Sequence, residues 1–112
     1  MYVISRNMRV AKDLTDSVIE EFSGSSAVNK AEGFIRRELL VNRKSEDVDI
    51  IKVLIYWKDE EAQKKWHASK EHQQGHIDRH KQRKETGKEP LNRKALNMTF
   101  EDFDVVSTLE AE

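Results

Sequence analysis

Val48-Asp49-Ile50-Ile51-Lys52-Val53-Leu54-Ile55-Tyr56-Trp57-Lys58 is the stretch on which the fold turns. Its β-branched and aromatic residues predict a strand, and both of its faces are apolar: Ile51, Val53, Ile55 and Trp57 share one parity, Ile50, Leu54 and Tyr56 the other. A strand with no polar face is central and covered on both sides. The charged Arg43-Lys44-Ser45-Glu46-Asp47 separates it from a second β-rich segment, residues 34–42, so the two read as an antiparallel hairpin. Further upstream, residues 1–10 alternate, with Tyr2, Ile4, Met8 and Val10 on one side and Val3, Ser5, Asn7 and Arg9 on the other, which predicts a first strand. Between these strands Leu14, Val18 and Phe22 recur every four residues, the pattern of an amphipathic helix that begins near Asp13. It stops near Ser23-Gly24-Ser25-Ser26, and a loop runs on to Gly33.

Downstream of the central strand, Asp59 is a suitable N-cap for a second helix that carries Ala62 and Trp66 at helical spacing, reaches about Lys84 and is interrupted by Gly75. Glu85-Thr86-Gly87-Lys88-Glu89-Pro90 reads as a loop. From Lys94 to about Thr108 alternation returns, with Leu96, Met98 and Phe100 on even positions, then Phe103 and Val105 on odd ones. Such a switch of parity predicts a bulge near Glu101-Asp102. The order is β-α-β-β-α-β, an α+β ferredoxin-like plan with an antiparallel sheet and helices on one face. The doubly apolar strand then needs a second sheet, which a chain this short supplies by dimerising into a dimeric α/β barrel.

At 112 residues, one domain spanning residues 1–112 is expected. Twenty Lys plus Arg against 21 Asp plus Glu leave a formal net charge of -1, which argues against the broad basic field needed by a nucleic-acid or membrane-surface binder. No cysteine is present, so disulfides, thiolate metal sites and a cysteine nucleophile are excluded, and a reducing compartment, by default the cytoplasm, is expected. Val53-Leu54-Ile55-Tyr56-Trp57 is too short an apolar run to span a bilayer.

All four histidines fall between His67 and His80, and His72, His76 and His80 recur every four residues. A solvated polar helix rich in histidine explains this as well as a ligand set does. Zinc is disfavoured, because Gln73-Gln74-Gly75 stands between His72 and His76 where the helical zinc motif needs a glutamate. A haem iron needs only one imidazole as its proximal ligand. Asp78-Arg79-His80-Lys81-Gln82-Arg83-Lys84 is a solvated face on its own, and beside a ligating histidine it could meet carboxylates. Trp66, ten residues before His76, suits a core as well as a cofactor contact. Asn7 is an amide in mid-strand next to the small Ser5; it either faces solvent or lines a cavity.

Taken together, Asn7, Trp66 within Tyr56-Trp57-Lys58 and its downstream Trp66-His67, His76 within Gln74-Gly75-His76, Phe22 after Ile19-Glu20-Glu21, and Glu32-Gly33-Phe34 resemble the IsdG-type haem-degrading monooxygenases of the antibiotic-biosynthesis-monooxygenase superfamily. The resemblance covers nearly the whole chain. It implies a small ferredoxin-like homodimer that binds haem as both substrate and cofactor, opens the porphyrin with O2 and electrons from an external donor such as a reductase, and releases iron. It further implies His76 as the axial ligand to the haem iron, Trp66 pressing the porphyrin out of plane, Phe22 lining the pocket, and Asn7 donating an amide N–H on the oxygen side. Two rivals stand beside it: a cofactor-free monooxygenase of the same superfamily acting on an aromatic substrate, and a non-catalytic haem-binding or stress protein.

Overall fold

The computed structural model describes residues 1–24, 27–69 and 93–112. Four strands, β1 (Tyr2–Ala11), β2 (Phe34–Asn42), β3 (Val48–Trp57) and β4 (Thr99–Asp104), and two helices, α1 (Thr15–Ser23) and α2 (Glu60–His67), follow one another as β1-α1-β2-β3-α2-β4. Short 3₁₀ turns lie at Lys12–Leu14, Ala27–Lys30 and Arg93–Leu96. The strands form one sheet in the order β2-β3-β1-β4, with every pair antiparallel. This is the ferredoxin-like plan expected from the sequence, and β3 is an inner strand as its two apolar parities require.

The register decides what each face carries. Tyr2 pairs with Trp57, Ile4 with Ile55, Arg6 with Val53 and Met8 with Ile51, so these residues share one face. Val18 and Phe22 of α1 pack there with Met8, Val10, Ile51, Val53 and Leu96. Ala62 and Trp66 of α2 pack at the other end of that face, against Tyr2, Val28 and Trp57. Both helices therefore cover the same side of the sheet. On the opposite side Leu40, Ile50 and Phe103 remain exposed at 45%, 39% and 49%.

Local chemistry explains the helix ends. The Asp59 carboxylate accepts a hydrogen bond from the Ala62 N–H at 2.8 Å, which satisfies an otherwise unpaired donor of the first turn of α2. Just before β2, Gly33 has φ +84°, a left-handed conformation that costs glycine little, and its carbonyl accepts from the Lys58 N–H at 2.7 Å. A Cβ at this position would lie 2.5 Å from the Ala62 Cβ.

The last strand departs from expectation. It begins at Thr99, not Lys94, and its register with β1 runs unbroken from Asn7↔Thr99 to Tyr2↔Asp104, so no bulge occurs at Glu101-Asp102. Leu96 is buried from the Arg93–Leu96 turn, and Asn97, with φ 48°, ends that turn. Of the even-numbered apolar residues, Leu96 thus belongs to a turn, Met98 to the link after it, and only Phe100 to the strand. A register shift does occur in the sheet, between Phe34 and Arg36 of β2. The expected extension of the second helix to Lys84, its interruption at Gly75 and the loop at 85–90 lie outside the described residues.

Asp49 is 4% exposed and ties β3 to the start of α1: it accepts from Lys12 Nζ at 2.6 Å and from Thr15 Oγ1 at 2.7 Å. These two hydrogen bonds, that from Lys12 first, hold its carboxyl below the usual carboxylate range against the opposing effect of desolvation. A lowered folded-state pKa contributes stability above the ordinary aspartate value, and that contribution is lost as pH falls through the folded value. Asp49→Asn is therefore expected to lower the urea midpoint at neutral pH. Its deficit relative to the parent should shrink as the pH is taken below the carboxylate range; a deficit that stays constant with pH would contradict this coupling.

Candidate active site

Phe22, at the end of α1, closes one side of a groove of about 340 Å³ that is also lined by Ser23, Gly24, Asn29, Phe34, Arg37 and Leu39. Strand alternation alone would place Phe34 and Arg37 on opposite faces. The register shift at the start of β2 brings them to the same one: Phe34 pairs with Trp57, Arg37 with Ile55 and Leu39 with Val53, all on the helix-covered side. The Arg37 guanidinium donates to the Gly24 carbonyl and so holds the end of α1 over β2. Arg36, on the other face, stacks on Tyr56 at 4.0 Å and pairs with Glu38 at 2.9 Å.

Trp66 stands in the last turn of α2, half-buried against the Tyr2, Val28 and Trp57 cluster. Phe34 packs into the same cluster, edge-on to Trp57 with ring centroids 5.6 Å apart, and also lines the groove. It joins the Trp66 end of the covered face to the Phe22 end. Tyr2 in this cluster donates its hydroxyl to Asp102 at 2.8 Å. Burial first, and then that carboxylate, push its pKa up to about 12, so it stays a neutral donor.

Asn7 lies elsewhere. It pairs with Lys52 and Thr99 on the face that the helices leave open, where its amide oxygen accepts from Ser5 Oγ at 2.7 Å and its Nδ2 donates to Glu101 Oε1 at 2.9 Å. The structure does not bring Asn7 to Phe22 and Trp66: successive strand residues point to opposite faces, and residue 7 has the wrong parity. The β1 residue that reaches the covered face is Arg6, whose guanidinium carbon sits 5.3 Å from the centroid of the Phe22 ring and 5.3 Å from that of Phe100. His76, with His72 and His80, lies outside the described residues. Among the described residues no group of three or more His, Cys, Asp or Glu could hold a metal ion.

Residues 1–77 match the family model for antibiotic biosynthesis monooxygenases. The chain belongs to this family. The haem-degrading monooxygenase HmoA of Bacillus subtilis (strain 168) is 34% identical over 76 residues, which cover 68% of this chain and 70% of HmoA. Among solved structures, a protein of Bacillus cereus assigned to the antibiotic biosynthesis monooxygenases is 26% identical and superposes with a TM-score of 0.75 over 98% of this chain and 97% of its own. MhuD, a haem degrader of Mycobacterium tuberculosis solved with two haems in its active site, has the same fold, with a TM-score of 0.62, 21% identity and coverage of 96% of this chain and 99% of its own.

In this member of the antibiotic biosynthesis monooxygenase family Phe22 and Trp66, both singled out by the sequence, lie on the helix-covered face, and two further residues of that face, Arg6 and Arg37, were not singled out. Arg6 left a signal in the alternation of β1. Its even-numbered companions Tyr2, Ile4, Met8 and Val10 are all apolar or aromatic, which makes residue 6 a position facing the core. Arg37 left none, because its orientation depends on the shift at the start of β2.

Proposed function

We propose that the chain is a haem-degrading monooxygenase that binds haem as substrate and cofactor, opens its ring oxidatively with O2 and an external reductant, and releases iron. The observation that carries this reading is the groove on the helix-covered face, in a chain 34% identical over 76 residues to a haem-degrading enzyme. The lining residues fit a flat macrocycle bearing carboxylates: Phe22, Phe34 and Leu39 offer apolar contact, and Arg37 brings a guanidinium to the rim. When bound, haem supplies both the iron at which O2 is activated and the macrocycle that is oxidised.

The chain's own residues bind and orient. His76 would hold the haem iron and Trp66 would contact the macrocycle, while Phe22 and Phe34 would exclude water from one side of the groove. Asn7, the amide donor of the resemblance, bonds to Ser5 and Glu101 on the open face, so a role for it on the oxygen side would require that amide to be released. The reaction is placed in the cytoplasm, with electrons from a reductase or a small reductant. No helix among the described residues is long and apolar enough to cross a membrane.

A second copy of the chain is proposed to cover the open face, where Leu40, Ile50 and Phe103 are exposed. Sedimentation equilibrium is expected to find a dimer. A stable monomer at micromolar concentration would count against the paired sheets.

The activity is tested by titrating the protein with haemin and then adding ascorbate under air. A saturable Soret band that decays with release of chelatable iron is the expected result. No change in the haemin spectrum would overturn the proposal, and would turn attention to cofactor-free oxidation of an aromatic quinol. A Soret band that survives the reductant would leave a haem-binding protein without turnover.

A further inference from the structure

On the haem reading above, from which it takes only the source of an oxidant, we propose that Tyr2 with Asp102 is a redox site, a proton-coupled electron donor that repairs one-electron oxidation of Trp66. Three oxidisable rings meet at one end of the covered face. Tyr2 and Trp57 are cross-strand partners and both are buried, and the half-buried Trp66 packs against the cluster they form with Val28. Trp66 is therefore the ring of the three that an oxidant reaches first. Tyr2 is the one that can lose a proton with its electron: its hydroxyl donates to Asp102 Oδ2 at 2.8 Å, within the reach at which a positioned base takes a proton. Asp102 stands on the exposed edge strand β4, so water can relieve it of that proton. The Val105 N–H donates to the Met1 carbonyl at 2.9 Å and ties the start of β1 to the end of β4 beside the pair.

The surrounding charge favours electron loss at this ring. Burial first, and then the carboxylates of Asp102, Glu60 and Asp104, keep the phenol protonated at ordinary pH, and the same carboxylates lower the cost of positive charge on the ring as an electron leaves. Tyr56, the other tyrosine of the chain, also bonds to a carboxylate, Glu38, but it lies on the open face with the Arg36 guanidinium 4.0 Å from its ring, a cation that opposes electron loss. In the proposed step a one-electron oxidant formed during O2 activation takes an electron from the Trp66 indole. Tyr2 gives that indole one electron, and its O–H bond breaks as the proton passes to Asp102. The products are an intact indole, a neutral phenoxyl radical and a carboxylic acid. One electron from the external reductant, with the proton handed back by Asp102, restores the starting state.

The test is flash photolysis of the full chain without haemin, with ruthenium tris-bipyridine and persulfate as the one-electron oxidant and transient absorption as the readout. In the parent an indolyl radical should give way to a phenoxyl radical. Tyr2→Phe should lose the phenoxyl phase and leave the indolyl radical longer-lived, while Tyr56→Phe keeps that phase. Trp66→Phe should lose most of the initial indolyl signal, because Trp57 is buried. Asp102→Asn should slow the conversion, and D2O should slow it in the parent. A phenoxyl phase retained in Tyr2→Phe or lost in Tyr56→Phe, an undiminished indolyl signal in Trp66→Phe, or conversion at the parent's rate in Asp102→Asn would each overturn the proposal. If a melting curve showed Tyr2→Phe unfolded, Asp102→Asn on its exposed strand and the D2O comparison would still decide. With no haemin present, failure here is distinct from failure of the haem reading, which its own titration reveals.

Discussion

His76→Ala is expected to abolish the Soret band that the parent develops with haemin, while His72→Ala and His80→Ala keep one close to that of the parent. Proximal ligation of haem iron uses one imidazole, so two of the three histidines spaced four apart are dispensable as ligands. Removing even the hydrogen-bond partner of a metal ligand costs about 10–100-fold in affinity, and removing the ligand itself should cost at least the upper end of that range. Haemin titration of the three variants reads the result directly. If His72→Ala or His80→Ala lost the band instead, the ligand would be that histidine.

Trp66→Ala is expected to separate binding from turnover. The side chain is half-buried against Tyr2, Val28 and Trp57, so its truncation removes packing as well as bulk; fully buried Trp→Ala changes cost about 3–5 kcal/mol, and a loss of about 2 kcal/mol is expected at this exposure. Trp66→Phe restores most of that packing with a smaller ring. Both variants should still show a Soret band, shifted from the parent's, and both should degrade haem more slowly in ascorbate. Turnover in Trp66→Phe equal to the parent's would show that the indole serves the core alone.

Elements carried by local pattern were legible in the sequence. The two apolar parities of residues 48–57 announced an inner strand, the four-residue recurrence of Val18 and Phe22 announced the face of α1, and Asp59 announced the start of α2. Failures came where a local signal met a tertiary one. Leu96 and Met98 continue the alternation of β4, yet the 3₁₀ turn before the strand draws Leu96 into the core. At residue 7 the alternation of β1 fixes the face: one residue of offset in a period of two sets the Asn7 amide on the side of the sheet opposite Phe22 and Trp66. The meeting of Phe22 with Arg37 depends on how α1 lies over β2 and on the register shift beside Phe34, neither of which composition or spacing encodes.

The close approach of Gly33 to Ala62 makes the seating of α2 adjustable from the turn before β2. Ala62 and Trp66 are one helical turn apart on the same side of α2, and the missing side chain at position 33 lets that side settle against the sheet. A single methyl group at Gly33 would act as a shim, lifting α2 and drawing the indole away from the sheet without altering any groove-lining residue. Position 33 is thus a handle on the seating of α2, and a library varying positions 33 and 62 together would set how far the Trp66 indole stands from the sheet.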